Sequence, residues 1–233
     1  MKKLDESTWP EIKEYLKHKK SIIIPMGTCE QHSKHLPLNT DTLIAERIAD
    51  FLSKETGIII APTINYGVNL PCDRYYPGTC SLTESVLREF LLSILNWWKI
   101  QGFTKFYILS AHGDPFHIKA LKETGLEGIR VLELYDFEVK DILEKQENIE
   151  HACEGETSVM LFLYPKRVRK DKIEDYEIPF EVLKNYLEHK NTEPIDIQDS
   201  PGCQGYPSMA TVEKGQKIFA LMKERALNWI KEK

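Results

Sequence analysis

Short apolar runs alternate with longer amphipathic segments along this chain, and that alternation constrains its fold more than any other feature. The apolar runs have the length and composition of buried strands: Ser21–Met26, Ile58–Pro62, Phe103–Ser110 and Ile129–Leu134. Amphipathic segments between such runs are typical of βα units and of a mainly parallel sheet. At 233 residues the chain has the usual size of one such domain. We therefore expect a single α/β domain over residues 1–233.

Periodic apolar residues and stop signals define the helices between these strands. One helix is predicted over Asp41–Glu55 with Gly57 as its end, and a second from the Ser81–Glu84 capping region to about Ile100, ending at Gly102. Further helices are predicted after Pro115, around Val159–Phe162 and over Ala210–Lys231. Trp97 and Trp98 are interpreted as core or subunit-contact residues. The polar segment Tyr164–Gln204, with an amphipathic piece at Phe180–Leu187, either covers a site or joins subunits.

Charge and composition exclude several classes of partner. The formal net charge is −5 and the sequence has no basic stripe, so we expect neither nucleic acid nor an anionic membrane as a partner. Met1–Lys20 is too polar for a secretory signal, and no apolar stretch reaches the ~20 residues that span a bilayer. Five dispersed cysteines without a C-x-x-C pair predict free thiols in a reducing compartment. A soluble, cytoplasmic protein is expected.

Two segments leave predicted strands and at once carry metal-ligand residue types. They are "GTCEQHSKHLPLNTD" at Gly27–Asp41 and "SAHGDPFH" at Ser110–His117, and their candidate ligands are Glu30, His32, His35, Asp41, His112, Asp114 and His117. The carboxyl ends of parallel strands lie at one edge of a sheet, so the two loops are expected to meet. Imidazoles and carboxylates without thiolate pairs favour Zn²⁺, Mn²⁺ or Fe²⁺ in a catalytic site. The spacing alone fits one metal ion or two, and an N-cap role for Asp41 remains open.

Five motifs, in order, resemble the creatininase (creatinine amidohydrolase) family. "GTCEQHSKHLPLNTD" is similar to its first motif, G-x-x-E-Q-H-G-x-H-L-P-L-x-T-D. The others follow in the same order across most of the chain: "YYPGTCSL" at Tyr75–Leu82, "SAHGD" at Ser110–Asp114, "HACEGETSVMLFLYP" at His151–Pro165 and "GYPSMATVEKGQKIF" at Gly205–Phe219. Because five motifs that occur in the family's order are far more specific than any single motif, we treat the resemblance as strong.

The resemblance implies a dinuclear metal centre on a three-layer α/β/α fold, assembled as a homo-hexamer. Glu30 and His112 would hold one divalent ion, Asp41 would bridge both, and His32 would hold the second. Asp114 falls where creatininase has a metal-binding Glu; it either binds metal or caps a helix. His35 belongs to the first motif but is not a ligand in the family, and His117 matches no motif residue.

The resemblance also implies a reaction, hydrolysis of a C–N bond in a small cyclic amide, amide or formamide by a metal-activated water. His151 would protonate the leaving nitrogen. Glu156 would fix the His151 tautomer or share in proton transfer, with helix capping as its alternative role. The sequence departs from the family at Ser33-Lys34, usually Gly-Pro, and lacks tryptophan before His151, so creatinine is not the first candidate substrate. A non-catalytic metal-binding scaffold or regulatory protein is the alternative interpretation.

Overall fold

The computed structural model describes residues 3–179, 181, 182, 184 and 200–232. Its four strands form one parallel sheet in the order β2-β1-β3-β4. They are β1 (Ser21–Met26), β2 (Ile59–Ile60), β3 (Lys105–Ser110) and β4 (Ile129–Glu133). The α-helices in this part of the chain are α1 (Trp9–His18), α2 (Thr40–Thr56), α3 (Glu84–Gln101), α4 (Pro115–Lys122), α5 (Glu154–Leu163) and α6 (Val212–Lys231).

Helices cover both faces of the sheet, which confirms the three-layer α/β/α prediction. In β1, Ile22 and Ile24 point to one face, where they pack with α1, α3 and α4. Ile23 points to the opposite face, where it packs with α2, α5 and α6. Because successive strand residues alternate between faces, a strand buried on both sides reads as a continuous apolar run. That is why "SIIIPM" carries no polar alternation.

Two strands are shorter than predicted and one helix was not predicted, each for a local reason. β2 is shorter than Ile58–Pro62, consistent with the missing backbone N–H of Pro62. β3 begins at Lys105, because the Phe103 N–H is used to close α3, donating to the Trp98 carbonyl at 3.1 Å. Helix α1 was not predicted. Its sequence signal is Glu11, whose carboxylate accepts from the Thr8 N–H at 2.7 Å.

The pairing of β1 with β3 fixes where the two ligand-bearing loops start. Met26 lies opposite Ser110, so both loops leave the sheet at the same edge. Gly27 then passes against the start of α2: a Cβ atom at this position would lie 2.3 Å from the Thr42 nitrogen. Only glycine permits this approach, which brings the first turn of α2 to the strand ends.

Helices α5 and α6 pack closely through the last two sequence motifs. A Cβ at Gly215 would lie 1.9 Å from the Ser158 carbonyl oxygen, so glycine is required here. The Lys214 ammonium binds the fully buried Glu154 carboxylate at 2.6 Å. The carboxylate also accepts from the Glu144 N–H at 3.0 Å. These contacts fix the first turn of α5, which carries Glu156.

Part of the Tyr164–Gln204 segment lies outside the described residues, including most of Phe180–Leu187. Its described part contains short 3-10 helices at Pro165–Arg167 and Lys170–Lys172, and Tyr176 pairs with Gly205. A covering or subunit-joining role for the segment stays a prediction. Every helix among the described residues is too short or too polar to cross a bilayer.

Candidate metal centre

Five of the predicted site residues meet at the carboxyl edge of the sheet. Each is at most 6% exposed, and they come from the loop after β1, the first turn of α2, the loop after β3 and the first turn of α5: Glu30, His32, Asp41, His112 and Glu156. Parallel strands place ligand sites at this edge because the loops that follow the strands converge there.

Glu30, Asp41 and His112 form a first group whose ligand atoms lie within 4.8 Å of one another. The Nδ1 atom of His112 is 2.9 Å from Glu30 Oε2 and 3.5 Å from Asp41 Oδ2. Two carboxylate oxygens and one imidazole nitrogen thus face a common point. This donor set suits a divalent cation such as Zn²⁺ or Mn²⁺.

His32, Asp41 and Glu156 form a second group of the same kind. The Nε2 atom of His32 is 3.0 Å from Asp41 Oδ1 and 3.6 Å from Glu156 Oε2. Asp41 belongs to both groups and presents a different oxygen to each. Its carboxylate therefore reaches both groups, and Glu156 is a member of the second group.

Backbone carbonyls orient both imidazoles in these groups. His112 donates from Nε2 to the Val68 carbonyl at 2.8 Å, which turns Nδ1 toward Glu30. His32 donates from Nδ1 to the Glu30 carbonyl at 3.1 Å, which turns Nε2 toward Asp41. A hydrogen bond on the far ring nitrogen is the usual way that proteins orient metal-binding histidines.

Buried carboxylate oxygens and perturbed pKa values indicate that cations fit here. Glu30 Oε2 and Asp41 Oδ2 are buried and make no hydrogen bond of good geometry, although His112 Nδ1 lies 2.9 and 3.5 Å from them. Burial lowers the pKa of His112, but the neighbouring carboxylates, with Glu30 the strongest, together outweigh it and raise the pKa to about 10. The pKa of His32 is likewise raised well above its usual value, since Asp41 and Glu156 outweigh burial. Buried carboxylates thus retain protons on both imidazoles, and divalent cations would replace those protons.

His151 lies beside the cluster, and Gln31 orients it. The Gln31 amide nitrogen is 2.9 Å from His151 Nε2, 2.8 Å from the Gly202 carbonyl and 3.1 Å from Asp73 Oδ1, while its oxygen accepts from the Ser33 N–H at 2.8 Å. These partners fix which end of the amide is nitrogen. Its two hydrogens cannot serve all three neighbours at once, but the nitrogen never accepts, so a proton on His151 Nε2 would have no acceptor there. Nε2 is therefore the unprotonated nitrogen of the neutral ring.

It follows that neutral His151 carries its proton on Nδ1. That atom lies 3.7 Å from Glu30 Oε1, on the side of the metal-binding cluster. Burial lowers the pKa of His151, which favours the neutral ring. The side chain remains 27% exposed, in contrast to the buried candidate ligands. The geometry directs a transferable proton into the site.

Asp114 and His117 lie near His112 but outside the ligand groups found among the described residues, of which the third is Glu30, His32 and His151. Asp114 is the N-cap of α4: its Oδ1 atom accepts from the N–H groups of Phe116 and His117 at 2.7 and 2.9 Å. Its Oδ2 atom is buried without a partner, and metal binding by Asp114 stays a prediction. His117 packs edge-on against the His112 ring, with centroids 4.9 Å apart.

His35 is a linking residue rather than a member of a ligand group. Its Nε2 atom lies 2.8 Å from Thr157 Oγ1, which ties the first loop to the helix that carries Glu156. Two nearby residues adopt positive φ without being glycine: Ser33 at 57° and Ala152 at 48°. Such conformations cost ~1–3 kcal/mol each and concentrate at functional sites. The family's glycine at position 33 fits this backbone.

Sequence reasoning missed two buried polar residues of the site, Gln31 and Asp73. Gln31 lies between two candidate ligands, and only its position in the E-Q-H motif could have marked it. Asp73 precedes the "YYPGTCSL" motif and carries no pattern of its own. Burial raises the pKa of Asp73 to about 8, and the Glu30 carboxylate adds to this effect.

Comparison with known proteins gives one matching family model and several relatives. The creatininase model, described as creatinine amidohydrolase, matches residues 5–230. The chain is 25% identical to a creatinine amidohydrolase of Pseudomonas putida over 241 residues, covering 91% of this chain and 88% of that protein. It is 26% identical to a 3-dehydro-scyllo-inosose hydrolase of Thermotoga maritima, covering 90% and 76%. It is 30% identical to a mycofactocin precursor peptide peptidase of Mycobacterium tuberculosis, covering 87% and 81%.

Solved structures of creatininase share this fold. A structure described as the Mn form of creatininase superposes with a TM-score of 0.82 at 22% identity, covering 98% of this chain and 96% of that one. A mutant creatininase described as Zn–Zn type gives a TM-score of 0.80 at the same identity and coverage.

Proposed function

The chain belongs to the creatininase family, a family of hydrolases, and from that premise we propose that it is a metal-dependent amidohydrolase. The proposed reaction is cleavage of a C–N bond in a small amide, cyclic amide or formamide. One observation carries the proposal: the two oxygens of Asp41 face separate groups, Glu30 with His112 and His32 with Glu156.

Two divalent ions, drawn from Zn²⁺, Mn²⁺ and Fe²⁺, are the proposed cofactors. Glu30, Asp41 and His112 would hold one ion, and His32, Asp41 and Glu156 the other. When bound, such ions supply an activated water and polarise the substrate carbonyl. The Mn and Zn–Zn forms of creatininase, which have the same fold, support this choice of metals.

The protein's own contribution is to hold and direct a proton. Gln31 keeps His151 Nε2 as an acceptor and so places the transferable proton on Nδ1, toward the cluster. The pKa near neutrality is that of the imidazolium, so His151, neutral at rest, would take up one proton and release its Nδ1 proton to the departing amine. The candidate ligands are each at most 6% exposed. Their burial keeps bulk water away and strengthens the electrostatic interactions among them.

The relatives act on chemically different substrates, and the substrate class is part of the proposal. Two of the reported relatives are an amidohydrolase and a peptide peptidase, both of which favour a C–N bond. The inosose hydrolase supports a cyclic polyol-derived ketone as a second candidate. Lys34 lies 2.7 Å from the Glu174 carboxylate, so recognition of a phosphate is not proposed for it.

Metal content and turnover, measured together, test the proposal. We expect two bound ions per chain and metal-dependent product release on a panel of amides, cyclic amides, formamides and short peptides, with the polyol-derived ketone included. Asp41→Asn should lose both ions. His151→Asn should keep both ions and lose turnover by at least ~100-fold, the usual contribution of general acid catalysis.

Asp114→Asn tests the open assignment of Asp114. Retention of both ions would leave Asp114 with its helix-capping role, and loss of one ion would make it a ligand. Two tightly bound ions without turnover on the whole panel would favour the non-catalytic scaffold. Full metal binding by Asp41→Asn would contradict the bridging role.

A further inference from the structure

Two cysteines from different sequence motifs lie opposite each other beside the candidate metal centre. Cys29 directly precedes Glu30 in the loop after β1, and Cys80 belongs to the "YYPGTCSL" motif. The two residues form an antiparallel bridge, in which the Cys80 N–H donates to the Cys29 carbonyl at 2.9 Å. We call Cys29 and Cys80 the cysteine pair.

The antiparallel bridge gives the cysteine pair a backbone geometry that suits a disulfide bond. Residues directly opposite each other in such a bridge carry their side chains on the same face, with Cα atoms ~5.5 Å and Cβ atoms ~4.5–5.5 Å apart. Disulfides have Cα atoms ~4.4–6.8 Å and Cβ atoms ~3.5–4.5 Å apart, so the side chains need to approach by only ~1 Å. The Cys29 thiol donates to the Gly78 carbonyl at 3.3 Å, and a thiol is a weak donor that is easily released from such a contact.

Exposure separates the cysteine pair from the other three cysteines. Cys80 is exposed and Cys29 is partly exposed, whereas Cys72, Cys153 and Cys203 are buried. An oxidant in solution therefore reaches Cys80 first, and Cys29 is the neighbouring thiol that can react next. An accessible cysteine beside a second, resolving cysteine is the usual arrangement of a redox-sensitive site.

We propose that the cysteine pair is a reversible redox-modification site, at which hydrogen peroxide converts the two thiols into a disulfide. The Cys80 sulfur attacks the O–O bond of the peroxide, which gives a sulfenic acid on Cys80 and one molecule of water. The Cys29 sulfur then attacks the Cys80 sulfur, forms the S–S bond and releases the sulfenic oxygen as a second water. Two electrons pass from the cysteines to the peroxide, and the two thiol hydrogens end in the water molecules.

The disulfide would join two segments that position the candidate ligands. Cys29 is adjacent to Glu30, and the Gln31 N–H donates to Thr79 Oγ1 at 2.8 Å. Oxidation would therefore add a covalent bond to the hydrogen bonds that already hold the first loop against the "YYPGTCSL" motif. Because a cross-link restricts the unfolded chain, the oxidised protein should be more stable than the reduced one. This inference does not depend on the reaction at the metal centre.

Thiol titration and peptide mapping after treatment of the full chain with hydrogen peroxide test the proposal. The reduced chain has five cysteines, and we expect two fewer titratable thiols per denatured chain after oxidation. Mapping should show an intramolecular bond between Cys29 and Cys80, and dithiothreitol should restore all five thiols, because an exposed disulfide is readily reduced. The urea midpoint of the oxidised protein should rise by ~1 M.

Two variants identify the residues that react, and circular dichroism establishes that each is folded. Cys72→Ala is the matched control: it removes a buried cysteine and should still lose two thiols on oxidation. Cys29→Ser should form no intramolecular disulfide, since Cys80 then has no resolving partner. An unchanged thiol count in the oxidised wild type would overturn the proposal. So would oxidation of Cys80 to a sulfinic acid while Cys29 stays a free thiol, or a Cys80 disulfide between two chains.

Discussion

Replacing Lys214 with methionine should destabilise the fold, because it leaves the buried Glu154 carboxylate without its cation. Glu154 is 0% exposed, and Lys214 Nζ lies 2.6 Å from its Oε1 atom. Removing one partner of a buried ion pair costs ~3–5 kcal/mol. Here the Glu144 N–H still donates to the carboxylate at 3.0 Å, and Lys214 itself is 13% exposed. We therefore expect a loss of about 2–3 kcal/mol in the free energy of unfolding.

Urea denaturation measures this loss, provided that the dependence on denaturant is unchanged. The double variant Lys214→Met/Glu154→Gln should recover ~1–2 kcal/mol relative to Lys214→Met, because a neutral amide is easier to bury. Lys217→Met, an exposed lysine on the same helix, is the control and should cost less than ~0.5 kcal/mol. A cost below ~0.5 kcal/mol for Lys214→Met, or strict additivity in the double variant, would refute the reasoning.

Three further predictions concern packing, protonation and proton placement. Gly215→Ala should lower the free energy of unfolding by ~1–3 kcal/mol in the same denaturation assay. The alanine Cβ would lie 1.9 Å from the Ser158 carbonyl oxygen and would force α5 and α6 apart. An unchanged free energy of unfolding would contradict this close approach. Asp73→Asn should flatten the pH dependence of stability in the chelator-treated protein. Burial raises the folded-state pKa of Asp73 to about 8, so its stabilising protonation is complete below the unfolded-state pKa, near 3.9, and is lost as the pH rises through 8. A wild-type stability that does not fall between pH 4 and 8 relative to the variant would be inconsistent with this assignment. In Gln31→Leu, His151 should no longer be held in the Nδ1–H tautomer, and its ring ¹⁵N chemical shifts should change while two ions stay bound. Unchanged ¹⁵N shifts would show that Gln31 does not select the tautomer.

The sequence was sufficient for those parts of the fold that depend on local patterns. The continuous apolar run Ser21–Met26 predicted a strand buried on both faces, and Gly57 and Gly102 marked the ends of α2 and α3. Boundaries failed where a backbone group was used by a neighbouring element, as with the Phe103 N–H, which closes α3 instead of extending β3. The pattern of residues along the chain does not determine which acceptor a given backbone N–H will bind.

The candidate site likewise contains some residues that could be predicted from the sequence and others that could not. Residues in ligand-rich motifs, such as Glu30 and His112, could be named from the sequence because their side-chain types are unusual at the end of a strand. Gln31 and Asp73 could not, since their roles depend on contacts across long stretches of chain: Gln31 reaches Gly202, 171 positions away. Glu156 was expected near the proton-handling histidine, and the structure also places it 3.6 Å from His32, a contact that the sequence did not indicate.

Anomalous diffraction at the metal absorption edges, on crystals of the purified protein, tests the shared-carboxylate arrangement most directly. The account predicts two peaks on opposite sides of the Asp41 carboxylate, each ~2.0–2.2 Å from its ligand atoms. One peak should lie beside Glu30 and His112, and the other beside His32 and Glu156. A single peak, or a pair that does not share Asp41, would contradict it.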